Sequence, residues 1–179
     1  MNRTEYTIPV RLDAKTFRRF SYFDTLKLRK RWVRPVVFAL ILIAFAAVAL
    51  VSRKPQSGMI AAVLLAVGLG LPLVYFGSFF STVNMQVARY ALDRPHRVYT
   101  VVLNADGVHV TNSQKAEAAV HVPWKEVQAA FRVKGCVYLY ANAARAFLLP
   151  DGQASVDDDA LWDCICRHMG QRARVRRVI

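Results

Sequence analysis

Acidic residues are scarce in this chain. Only 12 Asp and Glu stand against 25 Lys and Arg, a formal net charge of +13 over 179 residues. Cysteine is scarcer, at three, and Cys136, Cys164 and Cys166 all fall in parts read below as cytoplasmic, where a disulfide framework is not expected. Two long stretches have no charge at all: residues 35–52 (PVVFALILIAFAAVALVS) and 58–83 (GMIAAVLLAVGLGLPLVYFGSFFSTV). Ion and substrate pathways usually leave an ionisable residue within such segments, so this absence argues against a channel or transporter. No Gly-rich loop ends in Lys-Ser/Thr, which excludes a P-loop. His96, His109 and His121 have no Ser, Cys or carboxylate at a spacing that builds a nucleophile or general base, and no catalytic residue or cofactor is expected.

What the chain has instead is apolar length. A spanning helix needs about 20 apolar residues to cross a hydrocarbon core of about 30 Å. The first run is at the short end of that requirement and the second exceeds it. Only residues 53–57 (RKPQS) separate them, so two spans here form a hairpin. Lys27, Arg29, Lys30, Arg31 and Arg34 precede the first run, and Arg89, Arg94 and Arg97 follow the second. The turn carries only Arg53 and Lys54, so the positive-inside rule puts both termini in the cytoplasm. A cleaved signal peptide does not fit, because a long charged and aromatic segment comes first and a second apolar run follows.

Tyr6, Ile8, Val10 and Leu12 alternate with Thr7, Pro9 and Arg11, a half-buried strand with Pro9 indicating an edge position. Asp13 is a candidate N-cap for a helix over 14–32, in which Phe17, Phe20, Phe23 and Leu28 recur among basic residues. Trp32 suits the interfacial belt. In the second span Gly58, Ala62, Ala66 and Gly70 recur every four residues, a helix-packing ridge directed at the first span or, in a homo-oligomer, at another protomer. Pro72 with Gly68, Gly70 and Gly77 predicts a kink. Helix continues to about residue 92, where Asp93-Arg94-Pro95 stops it. Strands follow over 98–103, 107–112, 118–123, 129–134, 136–141 and 146–149, then a helix over 157–174 with Asp157, Asp158 and Asp159 in its first turn. Cys164 and Cys166, two apart on that helix, face about 200° from each other, so no metal site is expected. Trp124 is either a plug between strand and barrel or an exposed partner contact.

Six short strands and a closing helix form the pattern of a pleckstrin-homology-like barrel. The full order of parts resembles the YcxB-like family of bacterial membrane proteins. The matching residues are Leu103-Asn104-Ala105-Asp106-Gly107-Val108, Val122-Pro123-Trp124-Lys125-Glu126-Val127, Val137-Tyr138-Leu139-Tyr140 and Ala146-Phe147-Leu148-Leu149-Pro150. The resemblance implies an α+β membrane protein of the bacterial inner membrane: a two-helix transmembrane hairpin plus a small pleckstrin-like antiparallel β-barrel capped by a C-terminal helix. Its parts are a cytoplasmic strand and basic juxtamembrane helix (1–34), the hairpin with its linking helix (35–94) and the cytoplasmic pleckstrin-like domain (95–179). A pleckstrin-type sheet has seven strands, so Tyr6–Leu12 is expected to add to the six C-terminal ones. The resemblance implies no activity.

Two basic clusters carry the functional expectation. Lys27, Arg29, Lys30, Arg31 and Arg34, and the tail residues Arg172, Arg174, Arg176 and Arg177, either contact lipid headgroups or, respectively, set topology and form a solvated end. No aromatic-basic stripe accompanies the tail, so nucleic acid is not an expected partner. The chain reads as a non-catalytic, membrane-anchored binding module for a protein partner or lipid headgroups. The alternative is an assembly or immunity-type subunit acting through its hairpin.

Overall fold

The alternation in Tyr6–Leu12 becomes strand β1, with Ile8, Val10 and Leu12 buried and Thr7, Pro9 and Arg11 exposed. The structure, a computed structural model, describes residues 5–52, 54–112, 119–170 and 174–178. β1 pairs antiparallel with β2 (His96–Leu103), so Leu12 lies opposite His96 although more than 80 residues of chain separate them. β3 (Gly107–Asn112) and β4 (Val120–Pro123) complete one sheet in the order β1-β2-β3-β4. Asn104 makes the β2–β3 turn: its side-chain oxygen accepts the N–H groups of Asp106 and Gly107 at 3.1 and 2.9 Å.

β5 (Ala129–Val133), β6 (Cys136–Tyr140), β7 (Ala146–Pro150) and β8 (Arg174–Val178) form a second sheet in the order β7-β6-β5-β8. Lys134-Gly135 turns β5 into β6, and Gly135 supplies the positive φ (84°) that this two-residue turn needs. Every residue of β6 is buried, because both faces of this strand are covered. On one face Phe20, from helix α1 (Ala14–Tyr22), meets Tyr138 edge-on at 5.2 Å. On the other face Arg132 of β5 is ion-paired to Asp159 of helix α4 (Asp158–Met169).

The expected barrel does not close. Closure would require β4 to pair with β5, but β8 lies along that edge of β5, parallel to it. On the opposite side the sheets meet through side chains. The Gln153 amide pairs both ways with the backbone of Arg11, and the Tyr99 phenol pairs both ways with the backbone of Leu148. The C-terminal segment also departs from expectation. α4 stops at Met169, where Gly170 turns to φ 56°, and residues 174–178 run as a strand rather than as the end of a helix and a solvated tail.

By its internal packing the chain divides into two units, Met1–Phe20 with Leu92–Ile179, and Ser21–Ala91. In the second unit, helices α2 (Val33–Val51) and α3 (Ser57–Arg89) are long and apolar enough to cross a membrane. Only 11% of each apolar window is buried, so neither is the core helix of a globular fold. α3 runs unbroken through Pro72, and its 33 residues span about 50 Å at 1.5 Å per residue. The single basic helix expected over 14–32 is divided: α1 ends at Tyr22, and one π-helical segment covers Phe23–Leu28.

α2 and α3 meet along small residues spaced by seven. Ala39 and Ala46 are buried on α2, and Ala61 and Gly68 on α3. A Cβ on Gly68 would sit 3.4 Å from the Ala39 carbonyl and 3.3 Å from Leu42 Cβ, so the backbones approach closely there. The ridge expected to make this contact lies elsewhere. Gly58, Ala62 and Ala66 are exposed, and nothing stands within 4 Å of a Cβ built on Gly58 or Gly70. A repeat of four drifts around a helix with 3.6 residues per turn, whereas a repeat of seven nearly returns to the same face.

Candidate functional site

The cations that precede α2 surround one concavity. Arg29, Lys30, Arg31 and Arg34, with Pro35, line a space of about 670 Å³ at the start of α2; Lys27 does not line it. A folded turn places them. The Trp32 indole N–H donates to the Leu26 carbonyl at 3.0 Å, and the Arg31 N–H donates to Thr25. Arg29 Nε is 2.8 Å from the Asp24 carboxylate. Lys30 sits at φ 47°, a left-handed conformation costing a non-glycine residue about 1 kcal/mol. Among the described residues Lys30, Arg31 and Arg34 have no ion-pair partner. They crowd a helix N-terminus with no side-chain cap and no acid in its first turn, where the helix dipole already favours an anion.

A second concavity, of about 390 Å³, lies in the β-rich unit beside β4. His121, Lys125, Glu126, Gln128, Asn142 and Arg145 contribute its polar lining. The Asn142 side-chain oxygen accepts the N–H groups of Ala144 and Arg145, both at 2.8 Å, which fixes the β6–β7 turn and positions Arg145. His109 and His121, directly opposed on β3 and β4, stack with ring centroids 4.1 Å apart on the outer face of the sheet.

Trp124 is not an exposed contact. It is 8% exposed, its indole N–H donates to the Asn104 carbonyl at 2.8 Å, and its ring stacks on His168 at 4.9 Å. Those contacts join the β2–β3 turn to α4. Arg174, Arg176 and Arg177 fall in β8, and Arg172 lies outside the described residues.

The thiols are poor nucleophiles. Burial pushes Cys136 well above the usual thiol range, with Asp151 adding to the effect. Burial raises Cys164 and Cys166 as well, so all three stay protonated at neutral pH. Cys164 Sγ lies 3.5 Å from His168 Nδ1, but that nitrogen is 2.9 Å from the Cys164 carbonyl, which accepts a hydrogen bond from Nδ1–H in the tautomer protonated there. Among the described residues no three His, Cys, Asp or Glu side chains converge as metal ligands. The basic turn was legible as a charge run. The β4 concavity was not, because Arg145 and Asn142 reach it from a turn some 20 residues beyond Lys125.

No known protein family, curated protein or solved structure matches this chain.

Proposed function

We propose that the chain is a non-catalytic binding module of the YcxB-like kind, held in the cytoplasmic membrane by its hairpin and set against anionic lipid headgroups by the Arg29–Arg34 turn. The observation that carries this reading is the convergence of four cations on one concavity beside an uncapped helix start. Each juxtamembrane cation contributes about 1 kcal/mol beside an anionic leaflet. The pairing of Leu12 with His96 supports same-side topology: it brings together the two points where the chain leaves and re-enters the β-rich unit. If α2 and α3 cross a membrane, they therefore cross it as a hairpin with the β-rich unit on one side. That unit then meets a protein partner at the cytoplasmic face.

A second reading gains support from one observation. The Gly58, Ala62, Ala66 and Gly70 ridge is left uncovered by α2, as expected if it packs against another membrane helix. The hairpin would then be the working part of an assembly or immunity-type subunit. A crosslinking pull-down from native membranes separates the two. The native chain is compared with one whose hairpin is replaced by an unrelated two-span anchor. A partner held by both proteins is expected. Loss of the partner with the native hairpin overturns the first reading in favour of the second.

A further inference from the structure

At the open seam between the two sheets, the outer edge of β4 has no paired strand among the described residues. β4 pairs with β3 along one side, and among the described residues no strand pairs with its other side. The orientation of its backbone follows from Gly107. A Cβ on that residue would lie 2.4 Å from the Val122 oxygen, so the Val122 carbonyl points toward β3. Backbone groups alternate along a strand, so the N–H and C=O of His121 point the other way, away from β3 and along the concavity. Among the described residues, Lys125 and Arg145 stand beside that edge against one acid, Glu126. The Asn142 oxygen is already committed to its own turn, which leaves the amide N–H groups as the donors this residue can offer.

We infer that this edge is a docking site for an extended acidic peptide segment of a partner protein, added as a fifth strand beside β4. Resting on the reading of the β-rich unit as a binding module, the inference names its partner class. The backbone of His121 supplies ladder hydrogen bonds, and carboxylates on the incoming strand meet Lys125 and Arg145. A volume of about 390 Å³ suits a few residues of extended chain rather than a folded domain. A lipid headgroup matches the positive charge but lacks the alternating donors and acceptors that an open strand edge requires. A second copy of the chain is disfavoured, since pairing two β4 edges would bring Lys125 and Arg145 of both copies together. Pro123, with no N–H, closes the end of the strand and limits such self-pairing.

The test is fluorescence anisotropy on the full chain in nanodiscs, with a labelled Thr-Glu-Val-Glu-Val-Asp-Thr peptide. The same peptide with Lys at each acidic position is the control. Saturable binding of the acidic peptide alone is expected. Lys125→Gln with Arg145→Gln should weaken it by about tenfold, and more salt should weaken it further. His121→Pro deletes the one β4 N–H deduced to face the groove and leaves the bonds to β3 in place. It should also weaken binding by about tenfold, with a melting temperature near that of the native chain. No binding of the acidic peptide, or equal binding in the native chain and both variants, overturns the proposal. So does displacement of the peptide by phosphatidylglycerol vesicles with no effect of His121→Pro, which would make the groove a headgroup site. A partner retained in the hairpin-exchange pull-down, together with no peptide binding, overturns the edge proposal and leaves the binding-module reading standing.

Discussion

Replacing Tyr99 by Phe removes one oxygen and leaves two backbone groups without a partner. The Tyr99 hydroxyl donates to the Leu148 carbonyl at 3.0 Å and accepts the Leu148 N–H at 2.9 Å. Leu148 is buried on β7, the outer strand of its sheet, and the phenol stands where a neighbouring strand would otherwise pair. An unsatisfied buried donor or acceptor costs about 1–3 kcal/mol. Tyr99 itself is only half-buried, so water can partly replace it, and the low end of that range applies to both groups. The sum is about 2 kcal/mol, or a fall in melting temperature of about 8 °C for a unit of this size. The assay is a thermal melt of the purified full chain followed by circular dichroism, with hydrogen exchange at the Leu148 amide as local readout. Exchange there should accelerate. A shift below about 2 °C with unchanged exchange would refute the claim that this phenol closes the seam.

The same group predicts the alkaline limb. Burial raises the Tyr99 phenol above its ordinary value of 10.0, with the Leu148 hydrogen bond opposing and Cys136 adding. Burial pushes Tyr138 up to about 12, helped by Cys136 and opposed by Arg19. The unfolded chain therefore loses these protons first as pH rises. The stability they contribute is complete below about pH 10 and is lost as pH climbs toward the folded values. Tyr99→Phe should flatten that limb.

Three further outcomes are expected. Gly68→Leu should destabilise the hairpin by about 1–3 kcal/mol through overpacking against Ala39 and Leu42, while Gly70→Leu, where nothing lies within 4 Å, should stay within about 0.5 kcal/mol; comparing the two in detergent melts checks the seven-residue register. Gly107→Ala should force β3 and β4 apart, because its Cβ would lie 2.4 Å from the Val122 oxygen, and a melting temperature equal to the native value would count against that contact. Asp13 caps α1 by accepting the Thr16 N–H at 2.9 Å; partial burial raises its carboxyl, but the Thr16 side-chain and backbone hydrogen bonds outweigh that and lower it overall. Asp13→Ala should cost about 1 kcal/mol at neutral pH, and the difference should fade as pH drops below the ordinary carboxyl value of 3.8 and through the folded one, which an acid titration of both proteins would read.

Local chemistry was legible in the chain, and long-range partnership was not. The alternation at Tyr6–Leu12 showed both faces of β1, and Asp13 announced the start of α1, because each signal acts over a few residues. The apolar runs showed two helices of spanning length and the short turn between them. The cation cluster at Arg29–Arg34 could be read as a charge run, but its gathering around one concavity depends on the left-handed Lys30 and the Trp32–Leu26 hydrogen bond. The period-four ridge did not name the face that meets α2, since small residues mark a surface that permits close approach without saying which neighbour arrives. Tertiary structure alone decided that β8 takes the edge of β5, that the barrel therefore stays open, and that among the described residues β4 keeps an unpaired edge beside Lys125 and Arg145. Strand pairing is a competition among distant segments for the same backbone groups, and no local pattern records which segment wins.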